Sequence, residues 1–134
     1  MTSSSFRKNG VSATQVREFE DNGFVVVEGL LGPEEIQEYR ALYDRFLCGE
    51  IPCGEKRSDL GGHTAAKKEG VENVTQIMWP SDFVPGLVQR ALHQRALAVA
   101  RKLLGIDMAF DFDMLIDKAP MTDTPTPWHQ DAAY

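Results

Sequence analysis

The last eight residues, PWHQDAAY at 127–134, hold the side chains best suited to metal chemistry. His129 and Asp131 are separated by one residue, and on a β-strand such residues share a face, about 6.6 Å apart along the chain. An imidazole nitrogen and a carboxylate oxygen can then bind one first-row metal ion while Gln130 points away. The alternative is a hydrogen-bonded pair of strand residues without a metal.

A three-ligand metal site needs one further side chain. A second histidine would complete the two-histidine, one-carboxylate set of non-haem Fe(II) oxygenases, which leaves positions open for a co-substrate and O2. His63 lies in a glycine-rich segment and His93 in a helical one, and we expect neither to be the third ligand. Asp111 and Asp113 share a strand face, where we predict a solvated pair rather than a second metal site.

Composition and charge exclude two classes of partner. The chain has 134 residues, 43% hydrophobic and 25% charged, which is typical of a globular domain. Its net charge is −6 with dispersed Lys and Arg, so a nucleic-acid partner is not expected. No apolar run is long enough for a membrane span or a signal-peptide core, and we predict a cytoplasmic protein. Cys48 and Cys53 are expected to be reduced thiols.

The first half of the chain carries clear helix signals. Ser12 and Gln15 form a capping-box pattern and Gly23 is a natural stop, which predicts a helix over residues 13–22. The β-branched run at 24–27 predicts a buried strand directly after it.

Two further helical regions flank a long polar segment. Pro33 suits the first position of a helix, and apolar residues then recur at helical spacing until Gly49. Residues 50–71 are polar and glycine-rich, which predicts a surface loop that could shape the entrance of a site. Residues 85–104 predict a second helical region, with a break near His93.

Two strands are predicted in the second half of the chain. Residues 73–78 indicate a short strand, and alternation over residues 108–116 indicates a longer one that a turn at Lys118 closes. One face of the longer strand should line a core or cavity; it carries Met108, Phe110, Phe112, Met114 and Ile116.

Three stretches, in this order, resemble the phytanoyl-CoA dioxygenase (PhyH) family of Fe(II)/2-oxoglutarate-dependent oxygenases. FEDNGFVVVEGLLGPEEIQEYR, at residues 19–40, resembles the family's opening helix, strand and acidic helix start. MLIDKAP, at 114–120, is similar to its strand ending in a Lys-x-Pro turn. PWHQDAAY, at 127–134, matches its metal-binding His-x-Asp stretch, including the aromatic neighbours.

This resemblance implies an α+β fold built on a double-stranded β-helix, a cupin-like jelly roll with flanking helices. Residues 1–10 are then expected to be a flexible N-terminal tail. Residues 11–134 are expected to be the N-terminal portion of the jelly-roll domain, incomplete because it stops after the His-x-Asp strand.

The resemblance also implies roles for four residues. His129 and Asp131 would be ligands of Fe(II), with 2-oxoglutarate and O2 as co-substrates. Gln76 would make a polar contact to 2-oxoglutarate and Met114 would line its pocket. The alternatives are a solvated or structurally bonded amide for Gln76 and a plain core residue for Met114. The intact carboxylate of Asp131 favours hydroxylation of a small organic substrate over halogenation.

The family's distal histidine and its 2-oxoglutarate-binding arginine belong to strands downstream of the His-x-Asp stretch. We therefore expect the sequence to be a fragment that is inactive alone. Two alternatives stay open: a non-catalytic remnant that binds a ligand or partner, and a cupin-like metal protein with another chemistry. The coding sequence beyond Tyr134 would separate them, while the substrate and oligomeric state stay open.

Overall fold

The computed structural model describes residues 10–61, 72–121 and 125–130. The chain divides into two compact units. The first contains the described residues up to Pro52 together with Ser81–Phe112, and the second contains those of Cys53–Pro80 and from Asp113 onward. The first unit is mainly helical and the second is built on an antiparallel sheet. The α+β composition is therefore confirmed, with a three-stranded sheet as the β-structure of the described residues.

The helices of the described residues are α1 (Ala13–Asn22), α2 (Pro33–Leu47), α3 (Pro80–Phe83) and α4 (Ala91–Leu104), with 3₁₀ turns at Gly54–Lys56 and Leu87–Gln89. The strands are β1 (Arg57–Asp59), β2 (Val74–Met78) and β3 (Met114–Lys118). No helix in this part of the chain is long and apolar enough to cross a membrane.

Helix α1 has the ends that its sequence predicts. The Gln15 amide N–H donates to Ser12 Oγ at 3.2 Å, and the Ser12 N–H donates to Gln15 Oε1 at 3.0 Å. Gly23 follows with φ of 77°, a left-handed conformation that glycine adopts without steric cost. Both bonds satisfy amides that the first helical turn cannot satisfy itself. The predicted span of 13–22 is confirmed.

Helix α2 begins at Pro33 as predicted and contributes much of the first unit's core. Leu42 and Phe46 are buried on one face of this helix. The Phe46 ring meets that of Phe83 edge-on, with centroids 6.5 Å apart. This geometry places the positive ring edge against the negative ring face.

The predicted strand at 24–27 is wrong. These residues form no strand, and Phe24 and Val26 are 65% and 67% exposed. A β-branched run becomes a strand only where a neighbouring backbone pairs with it, and none of the described strands pairs with this segment.

The predicted helix break near His93 is also wrong. Helix α4 begins at Ala91 and runs unbroken through His93 to Leu104. The break in this region lies earlier, where the 3₁₀ turn ends at Arg90 in an extended conformation. The His93 ring packs edge-on against Phe110, with centroids 5.6 Å apart, so it occupies a packed position in the first unit.

The sheet has the order β1-β2-β3, and both pairings are antiparallel. The strand predicted at 73–78 is confirmed as β2. The strand predicted at 108–116 is wrong in its bounds, because β3 is Met114–Lys118. The Trp79 N–H donates to the Asp113 carbonyl at 2.9 Å, but Trp79 has φ of 58° and leaves the extended conformation. The pairing of β2 with β3 therefore ends at Met78 and Met114, and β3 does not extend to the residues before Met114.

The buried face of β3 is the opposite of the predicted one. Leu115 is 9% exposed and pairs with Ile77, which is fully buried. On the other face, Met114 and Ile116 are 36% and 48% exposed. Leu115 points to one face of β3, and its neighbours Met114 and Ile116 point to the other, so both faces carry apolar side chains. The face with Leu115 is the buried one, and there Leu115 pairs with Ile77.

The segment predicted as a loop over 50–71 contains structure. Its described part forms the 3₁₀ turn at Gly54–Lys56 and then strand β1, while residues 62–71, with His63, lie outside the described residues. Asp59, at the end of β1, accepts hydrogen bonds through Oδ1 from the backbone N–H groups of Gly61, Asn73 and Val74 at 2.9, 3.2 and 3.1 Å. This carboxylate thus connects β1 to the start of β2.

Candidate metal and co-substrate site

Gln76 and Met114, the two residues assigned to the co-substrate, lie on the same face of the sheet. Gln76 on β2 is opposite Ile116 on β3, and Met114 is opposite Met78. Gln76 and Met114 are therefore diagonal neighbours, a relation that places Cα atoms about 7–8 Å apart in antiparallel sheets. One small molecule can touch both side chains, although their roles toward 2-oxoglutarate stay predictions.

The chemistry of this face suits a polar ligand with an apolar surround. Ser58 on β1 pairs with Gln76, which places a hydroxyl beside the amide. Met78 and Met114 pair at the adjacent position, where their flexible thioether chains can adapt to a ligand. The face offers hydrogen-bond donors and acceptors in its centre and soft apolar groups at one end.

Arg57 is committed to the other face. Alternation along β1 places it opposite Ile77, away from Gln76. Its Nε and Nη2 donate to the Glu72 carboxylate at 2.9–3.1 Å, and Thr75 Oγ1 donates to the same carboxylate. The hydrogen bond from Arg57 is the main reason that the pKa of Glu72 lies below its ordinary value. This arginine therefore does not stand beside Gln76 to receive the far carboxylate of 2-oxoglutarate.

His129 has a defined contact within its own segment. Its Nδ1 lies 2.8 Å from the carbonyl oxygen of Pro127, and its side chain is exposed. A carbonyl oxygen can only accept, so Nδ1 carries a proton in this arrangement. In the neutral ring the lone pair then lies on Nε2, which is the atom that can coordinate a metal ion. A lone pair on Nε2 fits the Fe(II) ligand role predicted for His129.

The second predicted ligand, Asp131, lies outside the described residues. The convergence of Asp131 and His129 on one metal ion therefore stays a prediction. Within residues 10–61, 72–121 and 125–130, no group of three His, Cys, Asp or Glu side chains is placed to hold a metal ion.

Sequence reasoning missed the Pro127 carbonyl as a partner of His129. The available signal was the proline two positions before the histidine, because a fixed φ restricts where the following carbonyl points. A backbone acceptor has no side-chain signature, so the residue types of the motif do not reveal it.

Comparison with known proteins gives three findings. The model of the phytanoyl-CoA dioxygenase (PhyH) family matches residues 19–134. Ectoine dioxygenases from Streptomyces anulatus and Nocardia farcinica are 26% and 27% identical to the chain over 121 residues, which is 90% of the chain and 38% of each relative. The chain thus spans 38% of the length of these curated relatives. No solved structure gives a significant match.

Proposed function

Because this chain belongs to the phytanoyl-CoA dioxygenase family, we propose that it is the N-terminal part of an Fe(II)/2-oxoglutarate-dependent dioxygenase that hydroxylates a small organic substrate. The observation that carries the proposal is the extent of the family match, which includes residues 127–134 and with them both predicted metal ligands. The curated relatives are themselves named dioxygenases. In this proposal the enzyme acts in the cytoplasm, without a nucleic-acid or membrane partner.

Four residues carry the proposed site. His129 binds Fe(II) through Nε2 and Asp131 through its carboxylate. When bound, the iron supplies oxidative hydroxylation with O2 and 2-oxoglutarate as co-substrates. Gln76 makes a polar contact to 2-oxoglutarate, and Met114 lines its pocket. The proposed fold is the double-stranded β-helix.

The third iron ligand and the arginine that binds 2-oxoglutarate are proposed to lie in a part of the protein that corresponds to the unmatched portion of the relatives. We therefore expect the 134-residue chain alone to form no succinate from 2-oxoglutarate. Guanidinium is suited to the arginine's task because it donates two parallel hydrogen bonds to a carboxylate. A non-catalytic protein of the same fold is the second candidate, and an activity assay separates the two.

Metal binding by the chain itself tests the ligand assignment. Co²⁺ replaces Fe(II) as a probe that is stable in air, and its absorption spectrum reports coordination. We expect saturable binding in the parent chain, lost in His129→Ala and in Asp131→Ala. His63→Ala is the matched control and should bind as the parent does. Equal binding by His129→Ala and the parent chain would refute the assignment.

Activity is tested on the whole open reading frame that contains these residues. The assay measures Fe(II)-dependent succinate formation from 2-oxoglutarate, with ectoine and an acyl-CoA as the first substrates, since the names of the relatives and of the family suggest them. We expect turnover that His129→Ala and Asp131→Ala each abolish. A protein that binds 2-oxoglutarate yet forms no succinate with any substrate would favour the non-catalytic candidate.

A further inference from the structure

The contact between His129 and Pro127 has a role beyond local structure. We propose that the Pro127 carbonyl is a positioning group, which holds His129 as the Nδ1–H tautomer and so presents Nε2 to the metal ion. The inference rests on the proposed function, because it takes His129 as a metal ligand. It adds the group that orients this ligand before metal arrives.

The first step is the direction of the hydrogen bond. At 2.8 Å the distance between Nδ1 and the Pro127 oxygen lies within the range of a good N–H···O bond. The carbonyl has no proton to give, so the ring must donate. In an unstructured peptide the neutral imidazole prefers its proton on Nε2, which is the opposite tautomer. The contact therefore selects the form that an exposed histidine would not favour by itself.

The second step is what holds the carbonyl in place. Pro127 has φ locked near −65° by its ring, which removes one rotation two residues before His129. Trp128 lies between them with its side chain fully exposed, so burial of that indole does not anchor the segment. The direction of the carbonyl relative to the preceding chain is set by φ and ψ of Pro127, and the ring fixes the first of these. Glycine at position 127 should release it by restoring free rotation.

The third step connects the tautomer to metal binding. Histidines that bind metals generally donate their second ring N–H to a carboxylate, a carbonyl or water, which fixes the ring and raises its basicity. The bond from His129 Nδ1 to the Pro127 carbonyl has this form. The ring is ready to coordinate through Nε2 without moving its proton.

The experiment measures the tautomer directly in the full 134-residue chain without metal. Long-range ¹H–¹⁵N correlation spectra of ¹⁵N-labelled protein, recorded above the pH at which imidazole titrates, separate a protonated from an unprotonated ring nitrogen. A His129→Asn variant assigns the signals. We expect Nδ1 to be protonated in the parent, the population to move to Nε2–H in Pro127→Gly, and Pro125→Gly to match the parent. Mainly Nε2–H in the parent, or no change in Pro127→Gly, would overturn the inference.

Co²⁺ affinity of the same variants gives the functional consequence. Loss of such an orienting partner typically weakens metal affinity by about 10–100-fold, and we expect this in Pro127→Gly but not in Pro125→Gly. Absence of Co²⁺ binding in the whole open reading frame, where the third ligand is proposed to be present, would overturn the proposed function. A parent chain that binds Co²⁺ but holds His129 as the Nε2–H tautomer would overturn the inference about Pro127 and leave the proposed function standing.

Discussion

The guanidinium of Arg95, on α4, binds both the loop before α2 and its first turn. Nη1 donates to the Leu30 carbonyl at 2.6 Å and to Glu35 Oε2 at 2.8 Å, and Nη2 donates to Glu35 Oε1 at 2.7 Å. Glu35 Oε2 also accepts from the Gly32 N–H at 2.8 Å. One ion pair therefore joins two helices and supports the start of α2. We predict that Arg95→Met destabilises the first unit.

The expected magnitude follows from burial. Both side chains of the pair are 19% exposed. Exposed ion pairs contribute about 0–1 kcal/mol, whereas removing one partner of a fully buried pair costs about 3–5 kcal/mol. A mostly buried, bidentate pair that also satisfies the Leu30 carbonyl lies between these limits. We expect Arg95→Met to lower the free energy of unfolding by about 2–3 kcal/mol, within the range set by those limits.

Urea unfolding followed by far-ultraviolet circular dichroism is the suitable assay, because the longer helices lie in this unit. With a typical slope of about 1–3 kcal/mol per molar urea, the midpoint should fall by about 0.7–3 M. Arg45→Met is the matched control. Its ion pair with Glu50 has side chains 51% and 57% exposed, so its removal should cost at most about 1 kcal/mol.

An Arg95→Met chain whose unfolding free energy equals that of Arg45→Met would refute this reasoning. A double-mutant cycle with Glu35→Gln adds a second check. Because the two side chains bond each other directly, the double variant should lose less stability than the sum of the single losses. Simple additivity would show that the pair itself contributes nothing.

Two further predictions concern the second unit and the cysteines. The pKa of Glu72 is lowered in the folded chain, mainly by Arg57, so its stabilisation is present above the unfolded pKa of about 4.3 and is lost as pH falls through the folded value. Glu72→Gln should therefore reduce the loss of unfolding free energy at acid pH, measured by urea titrations at several pH values. Glu38→Gln, at an exposed position, is the control and should show the same acid sensitivity as the parent. Iodoacetamide should alkylate exposed Cys48 well before Cys53, because Cys53 is buried and burial raises the pKa of its thiol; equal rates, read by mass spectrometry, would contradict this.

Features that depend on neighbours in the chain could be predicted from the sequence. The capping box of Ser12 and Gln15 and the left-handed Gly23 formed as expected, since their partners lie within four residues. The types and spacing of His129 and Asp131 predict metal chemistry; this stays a prediction, and the family match covers both residues. These inferences needed only local backbone geometry and the chemistry of two side chains.

Features that depend on distant partners required the tertiary structure. Leu115 and Met114 are both apolar, and burial of Leu115 accompanies its pairing with Ile77, 38 residues earlier by their numbers. The run at 24–27 has strand-forming residues but pairs with no described strand. The tautomer of His129 depends on where the Pro127 carbonyl points, which residue types alone do not specify. Local sequence thus determined which chemistry was available, whereas long-range pairing and backbone direction decided which side chains are buried and which ring nitrogen of His129 faces the Pro127 carbonyl.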